Sequence, residues 1–247
     1  MYWVERRLAE LRRFRGQQHE RFGMSIAAPV SQRRRRKQKG VEAIEFGLFF
    51  IMMLPGFVWM FITGMNFIRF NKANDVARAT ALMYIKGQDM TVLGTQEILA
   101  RVGQGLDLEV DDGTAPPNQA SSNSRGSGLV VLSQVQFVGP NTCNNCGNLN
   151  HYVFLQRVYV GNKSLQFNGS TVQSALGSPG TGIWSATTGA VTNVYSDSTA
   201  QVNGSFAGLW TPAIGDGQIV YVVESFFAGG FGAGQFGGSG VYARVFM

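Results

Sequence analysis

The chain has 247 residues, 45% of them hydrophobic and 15% charged, with 32 glycines, 18 phenylalanines and two cysteines. That aromatic content excludes a solvated coil, two cysteines exclude a disulfide-dense miniature, and glycines without a period of three exclude collagen. The net charge of +6 conceals a split: residues 1–40 hold 12 Lys and Arg against 3 Asp and Glu, whereas residues 41–247 hold 9 against 12. The basicity therefore belongs to a leader, and the mildly acidic remainder gives no footprint of a nucleic-acid partner.

Residues 1–40 form a basic leader. Trp3, Val4, Leu8, Leu11 and Phe14 recur at loose helical spacing among Arg6, Arg7, Arg12, Arg13 and Arg15, as in a basic helix lying on a membrane surface. Met24 is an alternative start, which would make residues 1–23 an extension. Arg33, Arg34, Arg35, Arg36, Lys37 and Lys39 then crowd together immediately before a greasy segment.

From Phe46 to Ile68 the chain carries no charge for 23 residues. About 20 apolar residues suffice to cross a bilayer as a helix, so this segment predicts a transmembrane span in contact with lipid. Six basic residues precede the span, and only Arg69 and Lys72 follow closely. That asymmetry places the amino-terminal side in the cytoplasm and the body outside it, in a single-pass arrangement. Pro55 lies inside the span, where it removes one helix hydrogen bond and predicts a kink. The helical pattern continues through Ala73, Ala77, Ala79 and Ala81, with Val76, Leu82, Met83 and Ile85 as apolar contacts, to a stop at Gly87. A helix over Glu42–Lys86 is expected, within a segment 41–88.

Residues 89–128 read as a short helix over Thr95–Val102 followed by a flexible loop with Asp111-Asp112-Gly113 and Pro116-Pro117. Residues 129–247 read as a β-rich domain. Its strand candidates are Leu129–Leu132, Val135–Val138, Tyr152–Val160, Ile219–Phe227 and Val241–Phe246. The fold class is α+β, a long amino-terminal transmembrane helix followed by a β-rich extracytoplasmic domain.

Cys143 and Cys146 share one loop. Outside the cytoplasm their spacing can close a local disulfide, with free thiols as the alternative. Zinc wants four ligands, and only His151 is near, so no metal is expected. Gly232-Ala-Gly234-Gln-Phe-Gly237 matches a dinucleotide fingerprint in letters only, because no helix follows it. Asp111 and Asp112 lack the remaining ligands of a calcium loop. Asp197-Ser198-Thr199-Ala200 does not supply the D-x-S-x-S metal motif of von Willebrand A domains. With one histidine outside the leader, no Ser/His/Asp set is apparent. No catalytic residue, cofactor or enzyme activity is expected.

Ordinary secretory signals carry an apolar stretch of about 7–15 residues and a small-residue cleavage site after it. Here the order is different: Gly40 closes the basic run, and Val41-Glu42-Ala43-Ile44-Glu45-Phe46 opens the span. Gly40, Ala43, Glu45, Phe46 and Pro55, followed by Asn71, Ala77, Arg78 and Ala79, resemble the TadE-like pseudopilins of the tight-adherence (Flp, type IVc) pilus system. The resemblance covers about 48 residues from Lys39, with a weaker echo in the final strands; about residues 90–215 fit no pattern of that family.

The resemblance implies cleavage between Gly40 and Val41 by a prepilin peptidase. It also implies pairing of Glu45, the fifth mature residue, with the new amino terminus of a neighbouring subunit, beside Phe46. The implied partners are other pilins or pseudopilins and the pilus assembly platform, at the inner (cytoplasmic) membrane or within a pilus used for surface attachment. The rival expectation is an uncleaved, membrane-anchored extracytoplasmic binding or adhesion protein.

Overall fold

The computed structural model describes residues 35–110, 118, 125–167, 170–202, 214–229 and 240–247. The chain divides into two units, residues 1–56 and 57–247. A single helix, α1 (Arg35–Ile85), contributes to both and includes Pro55 in its interior. It starts seven residues earlier than the expected Glu42 and ends one residue before Lys86. The helix therefore extends back through the basic run and across Gly40 and Val41.

In the second unit, α1 meets the sheet through small residues. Ala73, Val76, Ala77, Thr80, Ala81 and Tyr84 are buried at steps of three and four, which is one stripe of a 3.6-residue helix. The alanines allow close approach: Ser225 Oγ, on the sheet, donates to the backbone carbonyl of Ala73 at 3.2 Å. This phase corrects two expected contacts. Leu82 and Ile85 lie off the stripe and are exposed, at 51% and 43% of their full surface. After a left-handed turn at Gly87, α2 (Leu93–Val102) tucks Leu99 into the same core and ends at Gly103.

Four antiparallel strands form the sheet in the order β2-β1-β5-β6. They are β1 (Gly128–Val138), β2 (His151–Gly161), β5 (Ile219–Phe227) and β6 (Val241–Phe246). The two candidates at 129–132 and 135–138 are one strand, because Ser133 and Gln134 carry the ladder across the polar interval. Gln134 pairs with Gln156 but Val135 pairs with Phe154, so Leu155 is an extra residue in β2. Such a bulge bends the strand and re-aims the side chains beyond it. A two-stranded antiparallel ribbon, β3 (Gln166–Phe167) with β4 (Ser170–Thr171), lies outside the strand candidates of the sequence.

Alternation along the strands divides the core in two. Val130, Leu132, Val158, Val160, Val223, Phe227 and Ala243 face α1 and α2. On the opposite face, Leu129, Val131, Val135, Phe154, Val222 and Phe226 are covered by Leu165, Leu176, Ile183, Val191, Ala200 and Val202, which come largely from irregular chain. The sheet is thus buried on both sides, and its second cover was not legible as strand or helix.

Candidate functional site

The amino-terminal half of α1 is the feature most removed from ordinary globular surface. From Phe46 to Phe61 its large apolar side chains are all exposed, Met52 by 80%. The helix contains a segment, from Ile44 onward, that is long and apolar enough to cross a membrane. Water does not tolerate an apolar surface of this extent on a monomer, whereas lipid or a partner does. Phe46 and Phe50, one turn apart, meet with ring centroids at 4.8 Å and planes tilted by 60°. Glu45 is exposed beside Phe46, at the polar end of the apolar stretch. Helical residues continue on both sides of Pro55, which has no N–H to offer the carbonyl of Ile51. Gly40 and Val41 lie within the first turns of α1.

Cys143 and Cys146 sit half-buried in the turn between β1 and β2 as separate thiols. Cys146 Sγ donates to the carbonyl of Cys143 at 3.6 Å. Burial pushes the Cys146 thiol above its ordinary value, and the neighbouring Cys143 thiol adds to that. The turn is pinned by Asp216, which lies just before β5 and beside the end of β1. Its carboxylate accepts from the N–H groups of Gly139 (2.7 Å), Asn141 (2.5 Å) and Thr142 (3.3 Å), and from the Thr142 hydroxyl (2.5 Å). Desolvation works to raise the Asp216 carboxyl, but these four donors outweigh it and hold the group below the usual carboxylate range.

Two charged residues escaped sequence reasoning. Arg157 and Glu224 are fully buried on the face of the sheet away from α1. The Arg157 guanidinium lies over the rings of Phe154 and Tyr159, at 5.1 and 5.4 Å from their centroids. The Glu224 carboxylate accepts from the Ser174 hydroxyl, the Ala175 N–H at 3.1 Å and the Tyr242 hydroxyl at 2.7 Å. On an alternating strand each occupies a position that normally faces solvent. Only the irregular second cover makes it an interior position.

The remaining motifs have plain structural places. Asp197 caps a short 3₁₀ turn, accepting from the N–H and hydroxyl of Thr199 at 2.8 and 2.7 Å. The glycine fingerprint at 232–237 and the acidic pair Asp111-Asp112 lie outside the described residues. Among the described residues, no three His, Cys, Asp or Glu side chains converge as metal ligands.

The fold and its exposed helix define a class, an α+β protein with, among the described residues, one helix long and apolar enough to cross a membrane. No family model, curated protein or solved structure matches the chain.

Proposed function

We propose that the chain is a minor pseudopilin-like structural protein that acts in assembling or priming a type IVc pilus for surface attachment. A prepilin peptidase cuts it after Gly40. The observation that carries this reading is the division of labour along α1: one uninterrupted helix is apolar and exposed from Phe46 to Phe61, then packs its alanine stripe under the sheet from Ala73 to Tyr84. An ordinary signal segment is discarded after cleavage. Cleavage at Gly40 instead leaves this helix on the product as anchor and assembly element.

The charge asymmetry puts residues 1–40 in the cytoplasm and the sheet domain outside it. Glu45 is the side chain that needs an explanation in lipid, where an unpaired carboxylate is costly. The α-amine freed at Val41 of a neighbouring subunit supplies the countercharge, and the attraction in a low dielectric sets the axial register between subunits. Because α1 already includes Gly40 and Val41, the peptidase must first unwind this turn to reach the bond. Glycine lowers that barrier, being about 1 kcal/mol worse than alanine within a helix.

The test is the amino-terminal residue of protein recovered from membranes, read by intact mass for wild type and Gly40→Leu. A wild-type chain beginning at Val41, with the leader retained in the variant, is the expected result. A retained leader in both sinks the pseudopilin reading and leaves an anchored extracytoplasmic protein.

A further inference from the structure

The uncharged run of α1 ends at Ile68, Arg69 is the first charge beyond it, and Ala73 is already sealed in the core under the sheet. The rise from Ile68 to Ala73 is about 8 Å at 1.5 Å per residue. The headgroup layer of a bilayer is about 5–8 Å deep on each side. No hinge lies between the two residues, because α1 is continuous from Arg35 to Ile85. A span ending at Ile68 therefore seats the adjoining end of the sheet domain among the headgroups. Burial along the helix agrees. Ile62, inside the uncharged run, is only 9% exposed, and Met65, Asn66 and Arg69 are half-buried along the same stripe.

Backbone hydrogen bonds gather distant cations at this end. Arg69 Nη2 donates to the Ala228 carbonyl at 3.4 Å, the Ala228 N–H to the Ser127 carbonyl at 2.7 Å, and the Ser127 N–H to the Asp107 carbonyl at 2.9 Å. Arg125, exposed, lies two residues before Ser127. Lys72 brings its ammonium against the turn at Gly105, where a Cβ would stand 3.2 Å from Nζ. The Asn162 N–H donates to the Gly128 carbonyl at 2.8 Å, so Lys163 follows at the same end. Asp107 and Glu109 are the carboxylates of these loops, and Asp75 stands about one turn farther along α1. This end therefore carries four cations against two carboxylates, whereas residues 41–247 as a whole hold 9 against 12.

Arg69 is poorly compensated. Its Nε is buried without a hydrogen-bond acceptor, and its bond to Ala228 is long. A phosphate oxygen meeting the outer nitrogens of this half-buried side chain would add the short, charge-assisted bond that the carbonyl does not supply. We propose that this end of the sheet domain is a binding surface for the headgroups of anionic phospholipids, with Arg69, Lys72 and Arg125 as its contacts. Such contacts hold the domain down on the leaflet from which it emerges. The proposal rests on α1 crossing the bilayer and not on cleavage at Gly40.

The test uses the full chain in nanodiscs made of equal parts phosphatidylcholine and phosphatidylglycerol. Native mass spectrometry identifies the lipids that stay on the protein when the disc is dissociated. Wild type is compared with Arg69→Gln/Lys72→Gln and with Arg78→Gln/Lys86→Gln, which removes two exposed charges farther along α1. The cations of residues 1–40 are common to all three proteins and cancel in the comparison. The expected result is enrichment of phosphatidylglycerol on wild type, lowered at least about fivefold in the first variant and unchanged in the second. No enrichment on wild type, or equal enrichment on all three proteins, overturns the proposal alone. Wild-type protein that carbonate extracts from membranes overturns the spanning helix and the proposal together.

Discussion

Tyr242 donates its hydroxyl to Glu224 Oε1 at 2.7 Å from the neighbouring strand, on the sheet face that the helix does not touch. Burial, then the Glu224 charge and the hydrogen bond to it, push the Tyr242 phenol above its ordinary value. The folded state therefore holds this proton more tightly than the unfolded chain does. Its contribution to stability is complete below the unfolded value of about 10 and is lost as pH rises from there towards the folded value. Tyr242→Phe should cost about 1–2 kcal/mol at neutral pH, as expected for a partly exposed bond to a charged acceptor. It should also flatten the loss of stability above about pH 10. Thermal melts of wild type and variant on both sides of that pH check the pair of effects.

The depressed Asp216 carboxyl gives the opposite limb. Its contribution is present above the unfolded carboxyl value of about 3.9 and is lost as pH falls through the lower folded value. Asp216→Asn keeps a carbonyl acceptor but loses the charge shared by four donors. Limited proteolysis at neutral pH should then cut the 139–146 turn faster in the variant, with cleavage elsewhere in the sheet domain unchanged. Equal rates in both proteins would mean that the turn is held by something other than Asp216.

At neutral pH the raised Cys146 thiol should react with iodoacetamide more slowly than an ordinary exposed cysteine, because the thiolate is the nucleophile. Its rate should keep climbing beyond the pH at which a free thiol levels off. Peptide mapping after timed alkylation reads this position separately from Cys143. Protein harvested from an oxidising compartment without reductant should instead have both positions blocked and a mass lower by two hydrogens, as the sequence spacing suggests.

The alanine stripe makes a packing prediction. Ala77 is completely buried between α1 and the sheet, so Ala77→Leu should destabilise by about 1–3 kcal/mol through overpacking. Leu82→Gln, five residues on and exposed, should change stability by no more than about 0.5 kcal/mol. Denaturant midpoints of the two variants in parallel distinguish this helix phase from one in which Leu82 faces inward.

Met53 lies within the exposed apolar run. An arginine there carries an insertion penalty of about 2.5–3.5 kcal/mol near the centre of a span. Met53→Arg should shift the protein from the carbonate-resistant membrane pellet to the supernatant or to degradation. Asn71→Arg, an exposed change beyond the apolar run, should leave the pellet fraction as in wild type.

Legibility from sequence followed the source of each residue's environment. Ile219–Phe227 and Val241–Phe246 are readable to the residue because β-branched and aromatic side chains dominate both. In sequence β1 looks like two pieces because Ser133 and Gln134 interrupt its apolar run, yet backbone pairing is indifferent to that interruption. The uncharged run of α1 was legible from length alone, whereas the inward phase of its second half was set by alanines, which carry little hydropathy signal. The second cover was hidden because its order comes from single side chains bonding to distant backbone. Asn148 Nδ2 reaches the carbonyls of both Val194 and Asp197 at 2.7 Å, and Gln201 Nε2 reaches Asn148 Oδ1 at 2.9 Å. No periodicity announces such a hub, and without it Arg157 and Glu224 read as solvent-facing.

The pairing of β1 with β5 also imposes a timetable. β1 ends at Val138 and its second neighbour does not begin until Ile219. A chain emerging in order can close the β1–β2 hairpin early, but one flank of β1 must stay open while the intervening chain arrives. Such distant pairings form slowly and leave unpaired strand edges exposed in the meantime. Until β5 arrives, Ala73 lacks its bond from Ser225, and the stripe of α1 lacks Val223 and Phe227 above it. Anything that delays delivery of residues 219–227 therefore prolongs the interval in which an exposed apolar helix and a half-built sheet are open to the wrong neighbours.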